Sequence, residues 1–217
     1  MKDRPHEKQH WDRKAAGRGG DERVIAAFAA TKIPFLESHI QNLSDCLTLE
    51  VGCGDGFISR HLMGKTRLLG VDFSGRMLAR NPLTDKAVAS AYRLPFADDS
   101  FDLVFESNVL HHLEEPAMAV AEMGRVSRRY VALSEPNARS IPIFISHAIL
   151  PGEKGCLKYN RRYLERLLDE GEIDLIASAD LGWVTPRLTP AFMLGILTWL
   201  EMRTRSGMFS MVIGCVR

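Results

Sequence analysis

The sequence lacks several things, and each absence excludes a class of protein. Its four cysteines, Cys46, Cys53, Cys156 and Cys215, are widely spaced and form no C-x-x-C pair, so neither a metal knuckle nor a redox motif is supported. In a chain with this much core material they read as reduced thiols rather than as a disulfide framework. No long hydrophobic run is present. Ile141 to Leu150 and Ala191 to Leu200 are too short and interrupted to span a bilayer. The charged N-terminus, MKDRPHEKQHWDRK, has no apolar segment and is not a secretory signal. These absences point to the cytoplasm. Charge of one sign is also missing: 28 basic residues face 27 acidic ones. A balanced chain exerts no long-range pull on phosphate backbones, so a nucleic-acid partner is not expected. No internal repeat, low-complexity tract or dividing linker occurs. His6, His10 and His61 make no metal-ligand set, and no metal is expected.

What is present is a core-forming chain of 217 residues, 46% hydrophobic and 25% charged, a length suited to one domain. A short helix is expected around Trp11, then a glycine-rich joint. Val24, Ile25, Phe28, Ile33, Leu36 and Ile40 have helical spacing, with Pro34 expected to bend or split the helix. Apolar runs then alternate with helical patterns. Strands are expected over Cys46–Val51, Arg67–Val71, Lys86–Ala89, Phe101–Phe105 and Tyr130–Ser134, with helices over Phe57–Met63, after Ser74, and over Ala117–Val126. Such alternation implies crossover units and a mostly parallel sheet. Beyond Pro136, residues 137–160 read as an insertion. Tyr163–Leu168 reads as a helix and Ile173–Ser178 as a sixth strand. Thr189–Arg203 reads as an amphipathic to fully buried helix, and Met208–Val216 as the last strand, at or near the sheet's interior. The chain thus divides into an N-terminal helical cap (1–42), a ligand-binding core (43–136) and a substrate-side insertion with C-terminal strands (137–217), all within one domain.

The most specific feature is Leu49-Glu50-Val51-Gly52-Cys53-Gly54-Asp55-Gly56, between an expected strand and an expected helix. Gly52 and Gly54 remove side chains where a ligand would touch backbone, and Gly56 permits an unusual backbone angle. A dinucleotide fingerprint would place its third glycine at position 57, which is Phe57, so a nicotinamide cofactor is disfavoured. Glu50 would sit poorly beside a pyrophosphate and suits a cationic ligand. Asp72, 20 residues after Gly52 at the end of the next strand, can accept both hydroxyls of a ribose. The plainer alternatives are a ligand-free turn for the glycines and a helix-cap acid for Asp72. Glu106, Ser107 and Asn108 follow the fourth strand, and either face the reacting group or merely cap the next turn. One of His111 and His112 could face a pocket and take a proton, the ordinary alternative being a packing histidine.

Together these segments resemble the class I S-adenosylmethionine-dependent methyltransferases. Residues 49–59 (LEVGCGDGFIS) resemble the family's first motif, 70–78 (GVDFSGRML) its ribose-binding segment, 91–105 (AYRLPFADDSFDLVF) its adenine-lining stretch, 106–116 (ESNVLHHLEEP) the loop that follows, and 122–126 (EMGRV) the helix leading to the fifth strand. The similarity covers roughly residues 45–136 and is nearest the small-molecule type that includes quinone and sterol methyltransferases. It implies a Rossmann-like α/β fold, a seven-stranded mostly parallel sheet with an antiparallel last strand and helices on both faces. It also implies S-adenosylmethionine as cofactor and methyl transfer to a small-molecule acceptor by direct in-line displacement. The residues it implies for the cofactor are Glu50 near the amino-acid end, Gly52, Cys53, Gly54 and Gly56 in the loop, Asp72 on the ribose, Phe73 against adenine, Ser90, Ala91 and Tyr92 at the adenine edge, and Glu106. His111 and Glu106 are the candidate catalytic residues. Three departures stand out: Ser90 where the family commonly has an acid, Ser127-Arg128-Arg129 in place of the usual Pro-Gly-Gly turn, and Glu172-Ile173 in place of Gly-Phe. A cofactor-binding protein without catalysis is a second reading, and a nicotinamide oxidoreductase a third.

Overall fold

The computed structural model describes residue 12 and residues 20–149, 154–186, 189–204 and 206–217. Seven strands form one sheet: β1 (Leu47–Val51), β2 (Arg67–Asp72), β3 (Lys86–Val88), β4 (Phe101–Ser107), β5 (Ser127–Pro136), β6 (Ile173–Leu181) and β7 (Phe209–Val216), in the order β3-β2-β1-β4-β5-β7-β6. Six run one way. β7 runs against both its neighbours and lies between them, pairing Ser134 with Met211 on one side and Ala179 with Met211 on the other. The antiparallel last strand and its interior position are as the sequence reading has them.

Both faces of the sheet are covered, which is why its central strands are apolar almost throughout. On one face α1 (Glu22–His39) packs Phe28, Ile33 and Leu36 against Leu103, Phe105, Met211 and Ile213. On the other, α4 (Pro116–Val126) and α6 (Arg161–Glu170) pack Met123, Leu164 and Leu167 against Leu49, Val104, Leu133 and Val212. Both α1 and α6 begin at a side-chain cap: Asp21 accepts from the Arg23 amide at 2.9 Å, and Asn160 from the Tyr163 amide at 3.2 Å.

Three expectations are corrected. Pro34 does not split its helix: α1 is continuous, because Pro34 and Ala30, whose carbonyl loses its amide partner, both lie on the exposed side where water can serve. The helix expected over Phe57–Met63 shrinks to α2 (Ser59–Leu62), since the chain is still turning through Gly54 and Gly56, with φ of 50° and 87°. The segment Thr189–Arg203 is not buried. It forms a 3-10 turn (Ala191–Met193) and α7 (Leu194–Arg203), with Phe192 87% exposed. The remaining helices are α3 (Gly75–Leu78), capped by Ser74, and α5 (Ile141–Ile149), inside the 137–160 insertion. The short helix expected around Trp11 lies outside the described residues. All four cysteines are free thiols. No helix among the described residues is long and apolar enough to cross a membrane.

Candidate active site

The order β3-β2-β1-β4-β5 reverses direction between β1 and β4, and a crevice opens at the carboxyl ends of parallel strands at such a point. A cleft lies there, its empty space of about 780 Å³ including open solvent at the mouth. Val51 and Gly52 of the β1 end form its floor. Asp72, Phe73 and Met77 come from the β2 end, and Ala89 to Tyr92 from the loop after β3. Asn108, Val109, His112 and Leu113 come from the loop after β4.

The glycine loop is fixed by hydrogen bonds rather than by packing alone. Gly52 has φ of 71°, and a Cβ there would stand 2.2 Å from Val109 Cγ2, so only glycine fits. Asp72 accepts the Gly54 amide on Oδ2 and the Ser74 amide on Oδ1, each at 2.8 Å. Ser74 Oγ donates to the Asp12 carboxylate. Asn81, which the sequence reading passed over, clamps the loop from behind. Its Nδ2 donates to the carbonyls of Cys53 and Gly54 and to Ser59 Oγ, each at 3.2 Å. The signal for it is slight: a buried polar residue just before Pro82.

Other expected site residues stand behind the wall. Glu50 is buried, its Oε2 accepting from Ser59 Oγ at 2.6 Å. Burial pushes its carboxyl up to about 8, the Asp72 charge adding to the effect and the Ser59 bond opposing it. Cys53 is buried too, its thiol driven upward by burial, with Sγ packed where a side chain on Gly70 would go. Ser90, Ala91 and Tyr92 do line the cleft. Ser90 Oγ accepts the Tyr92 amide at 3.2 Å, and the Tyr92 hydroxyl accepts the amides of Glu114 and Glu115 at 3.0 and 3.3 Å. Tyr92 thereby ties the two wall loops together.

The two expected catalytic residues require the clearest correction. Glu106 does not face the cleft. It is fully buried, accepts the amides of Ser134 and Val109 at 2.9 and 3.2 Å, and forms a carboxyl pair with Glu135. Burial, then the neighbouring Glu135 charge, drives the Glu106 carboxyl well upward, so it keeps its proton and donates it to Glu135. Glu135 also accepts the amides of Val109 and Leu110 at 2.8 and 2.6 Å, and its Oε2 lies 2.5 Å from His111 Nδ1. His111 therefore points inward, and His112 is the histidine on the cleft wall, its ring 3.8 Å from the His111 ring. The cause is the 3-10 turn Leu110–His112, which sends neighbouring side chains in different directions. Glu135 was missed altogether. Its signal is an acid closing an apolar strand (YVALSEP). Among the described residues no group of three or more His, Cys, Asp or Glu side chains could hold a metal ion.

Residues 49–132 match the family model of a methyltransferase domain. Among relatives, the malonyl-[acyl-carrier protein] O-methyltransferase of Legionella pneumophila is 36% identical over 91 residues, 36% of this chain and 31% of that protein. A Thermotoga maritima S-adenosylmethionine-dependent methyltransferase, described as a possible histamine N-methyltransferase, shares the fold with a TM-score of 0.69 at 15% identity, over 89% of this chain and 91% of that one. The magnesium protoporphyrin IX methyltransferase of Synechocystis, solved with S-adenosylhomocysteine bound, gives 0.62 at 15% identity, over 94% and 92%. The chain spans between 31% and 45% of the length of three curated relatives that it matches. Other solved chains of this fold, from Mesorhizobium loti and Aquifex aeolicus, are likewise described as S-adenosylmethionine-dependent methyltransferases.

Proposed function

We propose that this chain transfers a methyl group from S-adenosylmethionine to a small-molecule acceptor. The observation that carries the reading is the cleft at the β1/β4 switch point, where a side-chain-free floor at Gly52, the Asp72 carboxylate and the Ser90–Tyr92 loop meet. Its chemistry suits an adenosine joined to a cation. Asp72 brings a carboxylate to the end of β2 for ribose hydroxyls, Phe73 offers a ring for adenine, and Ser90 with the Ala91 backbone offers polar atoms at the adenine edge. Gly52 leaves backbone bare beneath the ligand. Behind the floor, Glu50 holds its proton in the free protein at pH 7 and can release it as a cation arrives. Bound in this cleft, S-adenosylmethionine supplies a methyl group already activated by its sulfonium. The protein's tasks are then to align an acceptor and exclude water. His112, on the wall and backed by His111, is the residue placed to take a proton from an acceptor hydroxyl or amine. Glu106, Glu135 and His111 act as positioning residues that hold the wall loop.

Titration calorimetry with S-adenosylmethionine, S-adenosylhomocysteine and NAD tests this. Both sulfur ligands are expected to bind saturably and NAD not to bind. Asp72→Ala is expected to weaken the sulfur ligands by about tenfold to a hundredfold, the loss of one or two charge-assisted bonds. NAD binding alone would overturn the reading. One observation favours a second reading, a cofactor-binding protein without catalysis: Glu106 and His111 are both occupied in a buried cluster. Formation of S-adenosylhomocysteine from an acceptor panel, lost in His112→Ala with cofactor affinity retained, would exclude it.

A further inference from the structure

The two segments that cap the acceptor side differ in character from the rest of the chain. Asn137, just after β5, donates from its amide to the Met208 carbonyl at 2.8 Å and from Nδ2 to the Gly207 carbonyl at 3.2 Å. The roots of α5 and α7 are thereby stitched together at the carboxyl edge of the sheet, the edge where the cleft opens. On α5, Ile141, Phe144 and Ile145 share one face by their spacing and are exposed, Ile141 to 73%, while Ile143 turns inward. On the 3-10 turn and α7, Phe192, Ile196, Trp199 and Arg203 recur every three or four residues as one exposed stripe, with the Arg203 guanidinium 4.7 Å from the Trp199 ring centroid.

Charge follows the same division. Residues 137–160 and 182–208 together carry six basic and two acidic residues, whereas the remainder carries 22 basic and 25 acidic. Glu201, one of those two acids, is withdrawn from the stripe: it is half-buried, accepts the Gly182 amide at 3.0 Å and lies near Lys32. Exposed apolar side chains in segments of net positive charge, with an arginine guanidinium beside a tryptophan ring, match the demands of a lipid headgroup region, where rings and aliphatic chains enter the acyl boundary and cations meet phosphate. A second copy of this chain fits less well, because a twofold contact would set each positive patch against its own duplicate.

We infer that the outer faces of α5 and α7 dock this protein onto an anionic bilayer surface. The docked edge is the one at which the cleft opens, so an acceptor anchored in that bilayer would be presented to it without crossing water. Docking itself needs neither cofactor nor catalysis, and its test is independent of the function proposed above.

The test is co-sedimentation of the full chain with vesicles of phosphatidylcholine, with and without phosphatidylglycerol, while tryptophan fluorescence is followed. Binding is expected only to the phosphatidylglycerol vesicles, with a blue shift of the emission and a loss of binding at high salt. The double variant Phe192→Ser/Ile196→Ser is expected to lower partitioning by about tenfold or more. Arg139→Ala and Arg203→Ala should each lower it by about fivefold. All four residues are exposed, so melting temperatures should stay unchanged, and calorimetry would check this. Failure of the wild type to bind phosphatidylglycerol vesicles would overturn the inference, as would binding that these variants leave untouched. A lipid-free dimer dispersed by Phe192→Ser would assign the face to self-association instead, and would also overturn it.

Discussion

Two regions of this molecule solve opposite problems. In the cofactor-side half, polar groups are buried and almost every one is spoken for. Asp72 holds two amides, Asn81 holds two carbonyls, and Glu135 gathers two amides, a histidine and a protonated carboxyl. In the segments that carry α5 and α7, apolar groups are exposed: Ile141, Phe144, Ile145, Phe192, Ile196 and Trp199. Buried polar networks fix one geometry, because each broken bond leaves a group unsatisfied away from water. An exposed apolar stripe fixes nothing by itself and waits for something to cover it. The first arrangement suits a ligand of fixed shape.

Substitutions should separate the two regions by size of effect. The largest is expected at Glu135. Glu135→Ala would leave the amides of Val109 and Leu110, His111 and Glu106 without their shared acceptor, at a cost of about 3–5 kcal/mol in denaturant unfolding. Glu106→Gln should cost less than about 1 kcal/mol, since an amide still offers Glu135 a donor. Equal losses for the two would show that the protonated pair is misassigned.

Next comes Lys32, whose Nζ is buried without a hydrogen-bond partner, 3.6 Å from the Phe28 ring centroid and 4.1 Å from that of Phe209. Burial brings its amine down from 10.5 to about 7, with Glu201, Glu106 and Glu135 opposing. The folded state therefore binds fewer protons than the unfolded one between these values. The resulting destabilisation is complete below about pH 7, fades as pH rises toward 10.5, and is absent above that. Lys32→Met should stabilise by about 2–4 kcal/mol below pH 7 and lose that advantage in alkaline solution. A gain independent of pH would mean that packing, not charge, is responsible. The smallest effect belongs to the caps: Phe192→Ser should shift unfolding by less than about 0.5 kcal/mol, as surface changes do. A loss of several kcal/mol there would erase the contrast between the regions.

Much of the fold was legible in the sequence. The strand–glycine–helix–strand rhythm is a local signal, and Gly52 and Asp72 fall where that rhythm puts the cleft. Depth was harder to read. On β4, Leu103 and Phe105 face one helical layer and Val104 the other, so alternation could not say whether Glu106 meets ligand or core. His111 and His112 are adjacent, and only the turn type separates inward from outward. Lys32 was readable in retrospect, lying four residues from Phe28 and from Leu36 on the buried stripe of α1. For Thr189–Arg203, apolar composition implied burial, but nothing local says whether a partner covers a helix.

The place of β7 has a consequence for how the chain is made. Every described residue lining the cleft lies before position 114, yet the strand that completes the sheet is Phe209–Val216, inserted between β5 and β6. While synthesis proceeds from one to the other, β5 offers an unpaired edge, the kind of surface on which strands of other chains can add. The ligand crevice can thus take shape on the ribosome well before the molecule is protected from its neighbours. In that interval, a bound ligand would steady one half of the sheet while the other still awaits its last strand.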